Sequence, residues 1–473
     1  VPLAIAARGA AFVVPLVIAR WFGAGSVTDA WFWALALPTF ALVLASTAIG
    51  TAATPAFAKV RAHAPERLPR VVGGLAAWVA LGSAALGAAV AAAGPALLAH
   101  HTAFPTDTQA LAGGYLWALV PFLAATGAGA VLRSACEVHG RFGAVAATPL
   151  LRAAVVIATT WGLLGPLGPR ALPWGLLAGE IAQVALWAAI LRGEGLRLDP
   201  RPWLDPEVRA VGRDLWPILG GEVLVALNLV VDKAFAAVLP EGSVATLEYA
   251  DRARVIPQTL LESTLLMVGF ATWARLRAEG APEAARAEVD RSLRWTAALA
   301  APPVAGMFIG RHILVQLLYE RGAFTPDDTA RTAAALACYL PGVVPGLLGL
   351  MAVRAHVLER NLRLVPALGL LSVVGNAALN AALIGPLGLN GLALATSLNL
   401  LLVPGIALLR LRAAVPLDPR AWARTAALVA LSAGVAAAVE LGPGAPQGWA
   451  DPALWVGAVA CFGLLGLASR LNP

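Results

Sequence analysis

Apolar runs of about 20 residues recur along this whole chain, broken only by short pieces rich in arginine, glycine or proline. That is the length a helix needs to cross a bilayer, where every backbone N–H and C=O must be satisfied inside the protein. A soluble core could not absorb so many such runs, since 59% of the 473 residues are hydrophobic and only 13% are charged. The fold class that follows is an all-α polytopic membrane protein with about fourteen transmembrane helices. Six spans are expected near residues 1–22, 30–55, 71–98, 109–132, 143–164 and 171–191. Six more are expected near 216–238, 244–276, 293–318, 329–352, 364–384 and 389–410, with a final pair near 422–441 and 453–470. Val1 already lies in an apolar run, which predicts a short segment before it, and no cleavable signal peptide is expected.

The basic residues occupy alternate loops. Lys59, Arg61, Arg67 and Arg70 follow the second span. Arg192, Arg197, Arg201, Arg209 and Arg213 follow the sixth, and Arg275, Arg277, Arg286, Arg291 and Arg294 the eighth. The loops at 23–29, 100–108 and 442–452 carry no lysine or arginine. Positively charged loops stay in the cytoplasm, so both termini are expected there. The same asymmetry accounts for the net charge of +7, and no nucleic-acid partner is expected. No GxxxxGK[ST] phosphate loop occurs, which excludes ATP hydrolysis by that route. Cys136, Cys338 and Cys461 are scattered and odd in number, and the histidines show no ligand spacing. Neither a disulfide framework nor a transition-metal site is expected.

The two halves repeat each other. LLGPLGPRALPWGLLAGEIAQVALWAAILR at 163–192 lines up with ALIGPLGLNGLALATSLNLLLVPGIALLR at 382–410. GAGSVTDAWFWALALP at 23–38 lines up with PEGSVATLEYADRARVIP at 240–257, and both separations are close to 220 residues. Six spans per copy is an even number, so both copies enter from the same side and a pseudo-two-fold axis runs along the membrane normal. The expected organisation is an N-lobe at 1–200, a C-lobe at 201–412 and a helix pair at 413–473. Two such lobes rocking around a central cavity is a transporter architecture.

One stretch interrupts the apolar pattern inside the spans. Residues 228–257 place Asp232, Lys233, Glu248, Asp251, Arg252 and Arg254 in segments that otherwise read as membrane-spanning, where a charge costs at least ~2.5–3.5 kcal/mol. On a single helix over 244–266, Glu248, Arg252, Thr259, Glu262 and Ser263 share about a third of the circumference, and Pro257 should kink it. That stripe lines a solute pathway, or else Glu248 and Arg252 simply pair at a helix contact. Asn228 and Asp232 on span seven, Asn376 and Asn380 on span eleven, and Thr396 on span twelve supply oxygen ligands that suit a hard monovalent cation; interhelical hydrogen bonding is the alternative. Glu180 and Glu222 lie in apolar surroundings, as proton carriers or as neutral hydrogen-bond donors.

These residues also carry a resemblance. ARGAAFVVPLVIARWFGAGSVTDAWFWALALP, the LPEGSV and YADR block, and ERGAFTPDD at 320–328 followed by GPLGLNGLALATSLN are similar to the MurJ/MviN family. That family contains bacterial lipid II flippases of the multidrug/oligosaccharidyl-lipid/polysaccharide exporter superfamily. The resemblance implies alternating-access flipping of an undecaprenyl-pyrophosphate-linked peptidoglycan precursor across the cytoplasmic (inner) membrane, with no enzymatic step. It implies that Arg8 and Arg252 grip the pyrophosphate in a site shared with Glu248 and Asp251, since guanidinium forks suit phosphate oxygens. It implies that Asp29 makes an outer gate contact, with a helix cap as the alternative. Some members of that family hold sodium on the same three spans, so the resemblance adds weight to a sodium ion at Asp232, Asn376, Asn380 and Thr396; no other cofactor is expected. Where the family usually carries arginines, this chain has Val14 and the stretch around Ala41 and Leu42. Another polyprenyl-linked oligosaccharide, or a cation-coupled exported solute, therefore stands as the alternative substrate. The expected partners are the lipid-linked glycan and membrane lipid, and the expected state is a monomer.

Overall fold

The computed structural model describes residues 2–197, 199, 205–261, 267–359, 361, 364–441, 456–461 and 463–464. Among the described residues every regular element is a helix. The first eight are α1 (Pro2–Phe22), α2 (Ser26–His63), α3 (Leu68–His101), α4 (Thr106–Ala118), α5 (Val120–Val138), α6 (Phe142–Leu167), α7 (Ala171–Gly193) and α8 (Pro206–Ala236). Then come α9 (Ser243–Leu261), α10 (Met267–Ala278), α11 (Pro282–Ile309), α12 (Arg311–Tyr319), α13 (Pro326–Tyr339), α14 (Val343–Leu358), α15 (Leu364–Leu411) and α16 (Pro419–Leu441). Six helical stretches of the described chain are long and apolar enough to cross a membrane, and a seventh if α11 and α12 count as one span. Those two meet at Gly310 with a bend of 76°, whereas the apolar run at 293–318 predicts an unbroken span. Pro257 lies inside α9, which runs on through it.

The chain folds as two compact units, Val1–Ala245 and Thr246–Pro473. In the first, α6 pairs with α7, α5 packs on α2, α3 and α7, α8 lies along α2, and α1 lies along α6. Phe57, Leu75, Val131, Cys136, Trp187 and Leu191 fill its core. At one end of α8, Asp205 accepts the Glu207 N–H at 2.9 Å as an N-cap and takes both Arg67 Nη2 at 2.8 Å and Nε at 3.3 Å. The basic loop after α2 is thereby held to the start of α8. In the second unit α14 packs on α15 and α11, α13 on α15, and α16 on α11. Its core gathers Trp273, Leu293, Met351 and Leu411.

The GPLG repeat leaves the same mark on the backbone of both units. Gly168 has φ 53 and ψ −134, and Gly388 has φ 54 and ψ −129. Only glycine enters that region without strain, and each one turns the chain out of one span and into the next. In the first unit the turn joins α6 to α7; in the second it divides α15 into two limbs. Small residues then let the paired helices touch: a Cβ on Gly175 would stand 1.9 Å from Thr160 Oγ1.

Candidate functional site

The turns that start α2 and α9 cap each other. Gly25 and Gly242 precede these helices, and neither has a side chain with which to accept the first amide protons. Asp29, 1% exposed, accepts the Gly242 N–H at 2.6 Å on Oδ2 and the Ala245 N–H at 2.8 Å on Oδ1. In return Glu241 Oε1 accepts the Ser26 N–H at 2.9 Å. Asp29 therefore does not cap its own helix, where Thr28 Oγ1 accepts the Gly25 N–H at 3.0 Å. Its carboxylate caps α9 from a distant part of the chain, favoured there by the helix dipole. Beside this joint Lys233 is buried with its ammonium 5.9 Å from the centre of the Phe32 ring.

One turn further along α9 the charges are paired. Arg252 Nη2 lies 2.7 Å from Glu248 Oε1, with side chains 32% and 14% exposed. Asp251 instead receives Arg254 Nε at 2.9 Å, and the Arg254 guanidinium lies 5.5 Å from the centre of the Tyr339 ring. The ERGAFTPDD segment holds this stretch in place. Thr325 caps α13 with Asp328 closing the box, Thr329 Oγ1 donates to Glu320 Oε2 at 2.6 Å, and Phe324 packs edge-on against Tyr249 at 5.5 Å. Tyr319 O–H adds a hydrogen bond to the Tyr249 carbonyl at 3.3 Å. Thr259 lies on the same helix, half-buried, while Glu262 and Ser263 fall outside the described residues.

The remaining candidates fall on α1, α2, α8 and α15. Arg8 lies on α1, and its side chain is outside the described part, as are those of Ala41, Leu42 and Glu222. Val14 is half-buried on the same helix as Arg8. Asn376 and Asn380 are buried one turn apart on the first limb of α15, and Thr396 lies on the second limb with its hydroxyl donated to the Leu392 carbonyl at 3.2 Å. Asp232 and Asn228, both half-buried, sit on α8 in the first unit.

The sequence model of a family described as lipid II flippase MurJ matches residues 18–445. The chain belongs to the MurJ family. A probable lipid II flippase MurJ of Vibrio cholerae is 25% identical over 421 residues, which are 84% of this chain and 78% of that protein. Its counterpart in Rhizobium meliloti is 30% identical over 347 residues, 69% of this chain and 63% of that protein. Among solved structures, a lipid II flippase MurJ in an inward closed conformation superposes with a TM-score of 0.81 at 19% identity, over 99% of this chain and 97% of its own. An inward-facing MATE multidrug transporter of the MOP superfamily gives 0.69 at 13% identity, over 85% and 93%. MurJ-family proteins are flippases, and the all-α transporter fold is shared with the MATE proteins.

Within this MurJ-family fold the sequence reading of Glu180 needs correction. The residue is not in apolar surroundings: its Oε2 lies 3.0 Å from Arg152 Nε, its Oε1 accepts from Gln183 Nε2 at 3.3 Å, and the guanidinium stacks 6.0 Å from the centre of the Phe122 ring. Arg152 comes from α6, so the pattern along α7 alone could not reveal it. A second buried pair also escaped notice. Asp290 and Arg294 on α11 lie 2.9 Å apart, and Trp422 Nε1 donates to Asp290 Oδ1 at 2.7 Å. The i,i+4 spacing of Asp290 and Arg294 was the available signal.

Proposed function

We propose that this MurJ-family protein moves lipid II, an undecaprenyl-pyrophosphate-linked peptidoglycan precursor, from the cytoplasmic to the outer leaflet by alternating access. The observation that carries this reading is the family match across residues 18–445. Arg252 supports it chemically. A guanidinium keeps its charge at any working pH and offers a planar fork for phosphate oxygens, and Glu248 holds it in a defined rotamer until a pyrophosphate competes. Arg8 supplies the second cation, and Asp251 stays with Arg254 at the edge of the site. Asp29 serves as the outer gate, since parting the two turns exchanges its two backbone hydrogen bonds for water.

In this reading fourteen spans place both termini in the cytoplasm, and the protein works as a monomer. Energy comes from an ion gradient or the membrane potential, the latter worth ~2.3 kcal/mol per charge per 100 mV. Sodium bound by Asp232, Asn376, Asn380 and Thr396 would favour one side of the cavity's opening. The test is complementation of a bacterium depleted of its own lipid II flippase. Rescue of growth supports the proposal; no rescue by protein that is inserted and abundant in the membrane overturns it in favour of another polyprenyl-linked glycan.

A further inference from the structure

A cavity of about 360 Å³ lies in the first unit, where the start of α2, the turn between α3 and α4 and the turn between α8 and α9 come together. Ala103 N–H donates to the Ala237 carbonyl at 2.8 Å and joins the two turns, while Glu241 and Asp29 join the second of them to α2. The walls are apolar: Phe104, set edge-on to Trp33 at 6.4 Å, then Pro105, Leu239 and Pro240. Val238 and Glu241 stand exposed at the mouth. Asp29 and Thr108, 1% and 5% exposed, lie at the floor.

Two groups at the floor have hydrogen-bonding capacity left. An ionised carboxyl accepts about four hydrogen bonds, and Asp29 takes two, both from backbone N–H groups. Thr108 is the clearer case. The hydroxyls of Thr102, Thr148 and Thr425 turn back to the carbonyl four residues earlier, the common resort of a threonine at a helix. That of Thr108 has no hydrogen-bond partner among the described residues, although the residue is more than nine-tenths buried against the cavity and its oxygen is not sealed off. A buried hydroxyl left unpaired is unfavourable, so a polar group that enters the cavity gains by meeting it.

Charge selects the class of ligand. The lining holds two carboxylates and no lysine, arginine or histidine. Lys233, with its ammonium at the Phe32 ring, offsets only part of this charge. Anions are therefore repelled. A bare divalent cation asks for six to eight oxygens, and no three Asp, Glu, His or Cys side chains gather to hold one among the described residues. The volume instead falls in the range of sites for small organic molecules. A primary ammonium brings three N–H donors to Asp29, Thr108 and Glu241, and the methylene groups behind it pack on Phe104 and the prolines. We propose that this cavity binds a primary alkylammonium group, carried either by a free diamine or by the peptide of the transported lipid. The site stands apart from the flippase reading, on which only the second source rests. Because it touches the turns that Asp29 and Glu241 fasten, its ligand favours the fastened form.

The experiment uses the full chain in detergent, titrated with cadaverine, with uncharged 1,5-pentanediol of the same length, and with magnesium at matched ionic strength. A ligand that binds the folded state alone raises the melting temperature, here by about 1–3 °C at ten times the Kd of cadaverine, with no rise for the diol. T108V, which keeps the shape of the side chain, and E241Q should each weaken cadaverine binding about three- to tenfold. Cadaverine carrying a photoreactive group should label residues 103–108 and 238–241 of the unaltered protein, which keeps the test valid even if a variant folds poorly. Slower flipping of a precursor whose peptide amine is acetylated assigns the amine to the substrate; equal flipping, with cadaverine still bound, assigns it to a free diamine. An equal rise with the diol, a rise with magnesium alone, unchanged affinity in both variants, or labelling elsewhere overturns the proposal.

Discussion

Gly168 and Gly388, 220 residues apart, hold the same backbone conformation to within 5°: φ is 53 and 54, and ψ is −134 and −129. The match lies in dihedral angles that side-chain composition does not dictate, and it falls on the fourth residue of both GPLG copies. Shared ancestry of the two halves explains this better than a shared taste for small residues.

Replacing either glycine by alanine should lower stability by about 1–3 kcal/mol. No atom lies within 4 Å of the added Cβ at either site, so the loss is backbone strain alone and should be similar at both. Thermal unfolding of G168A and G388A in detergent checks this. A loss confined to one site would show that the two turns are not equivalent.

Asp29→Asn keeps the shape of the side chain but turns an N–H donor towards backbone N–H groups that need an acceptor. The joint should weaken by about 1.5–3 kcal/mol, the range for a hydrogen bond to a charged group. Cysteines introduced near Val238 should then react faster with a membrane-impermeant thiol reagent. Unchanged labelling would mean that the joint is not held by this carboxylate.

Arg252→Ala should cut flipping about ten- to a hundredfold, the equivalent of one charge-assisted contact. Arg252→Lys should recover only part of it, because an ammonium lacks the planar fork. Flipping assayed in reconstituted vesicles decides. Wild-type rates for the alanine variant would leave the 2.7 Å contact with Glu248 a purely structural pair.

Glu180→Gln leaves the Arg152 guanidinium, 30% exposed, without its counter-charge. Stability should fall by about 1–3 kcal/mol while flipping by the folded fraction persists. Loss of flipping at unchanged melting temperature would instead restore the proton-carrier role.

Asp232→Ala should remove any sodium-dependent rise in melting temperature, since a cation bound only by the folded state must stabilise it. Equal melting in sodium and in an impermeant organic cation, for the unaltered protein, would make Asn376, Asn380 and Thr396 interhelical hydrogen-bonding groups and nothing more.

The helical membrane fold was legible because lipid leaves a chain few alternatives, and the repeat was legible because GPLG and GSV survive in register in both halves. The charge pair of Glu248 and Arg252 followed from helical spacing alone. The partner of Asp29 did not, because a carboxylate that caps a helix more than 200 residues away leaves no periodic trace; only the absence of a side chain on Gly242 hinted that a cap must come from elsewhere. Glu180 was misjudged for a related reason: its neighbour Arg152 is supplied by another helix, and one-dimensional patterns record a helix's own faces rather than what packs on them. The 76° bend at Gly310 was hidden by apolarity that continues on both sides of it.

The capping of α9 by Asp29 also bears on reversibility. Each amide that lets go of the carboxylate can turn to water, so each bond counts only for its net value of about 1.5–3 kcal/mol. Swinging a two-state equilibrium from 1:99 to 99:1 takes about 5.5 kcal/mol. The two bonds to Asp29 together fall near that figure. Under the proposed gate reading, a fastening of this size is one that a head group preferring the parted form by a comparable free energy would offset.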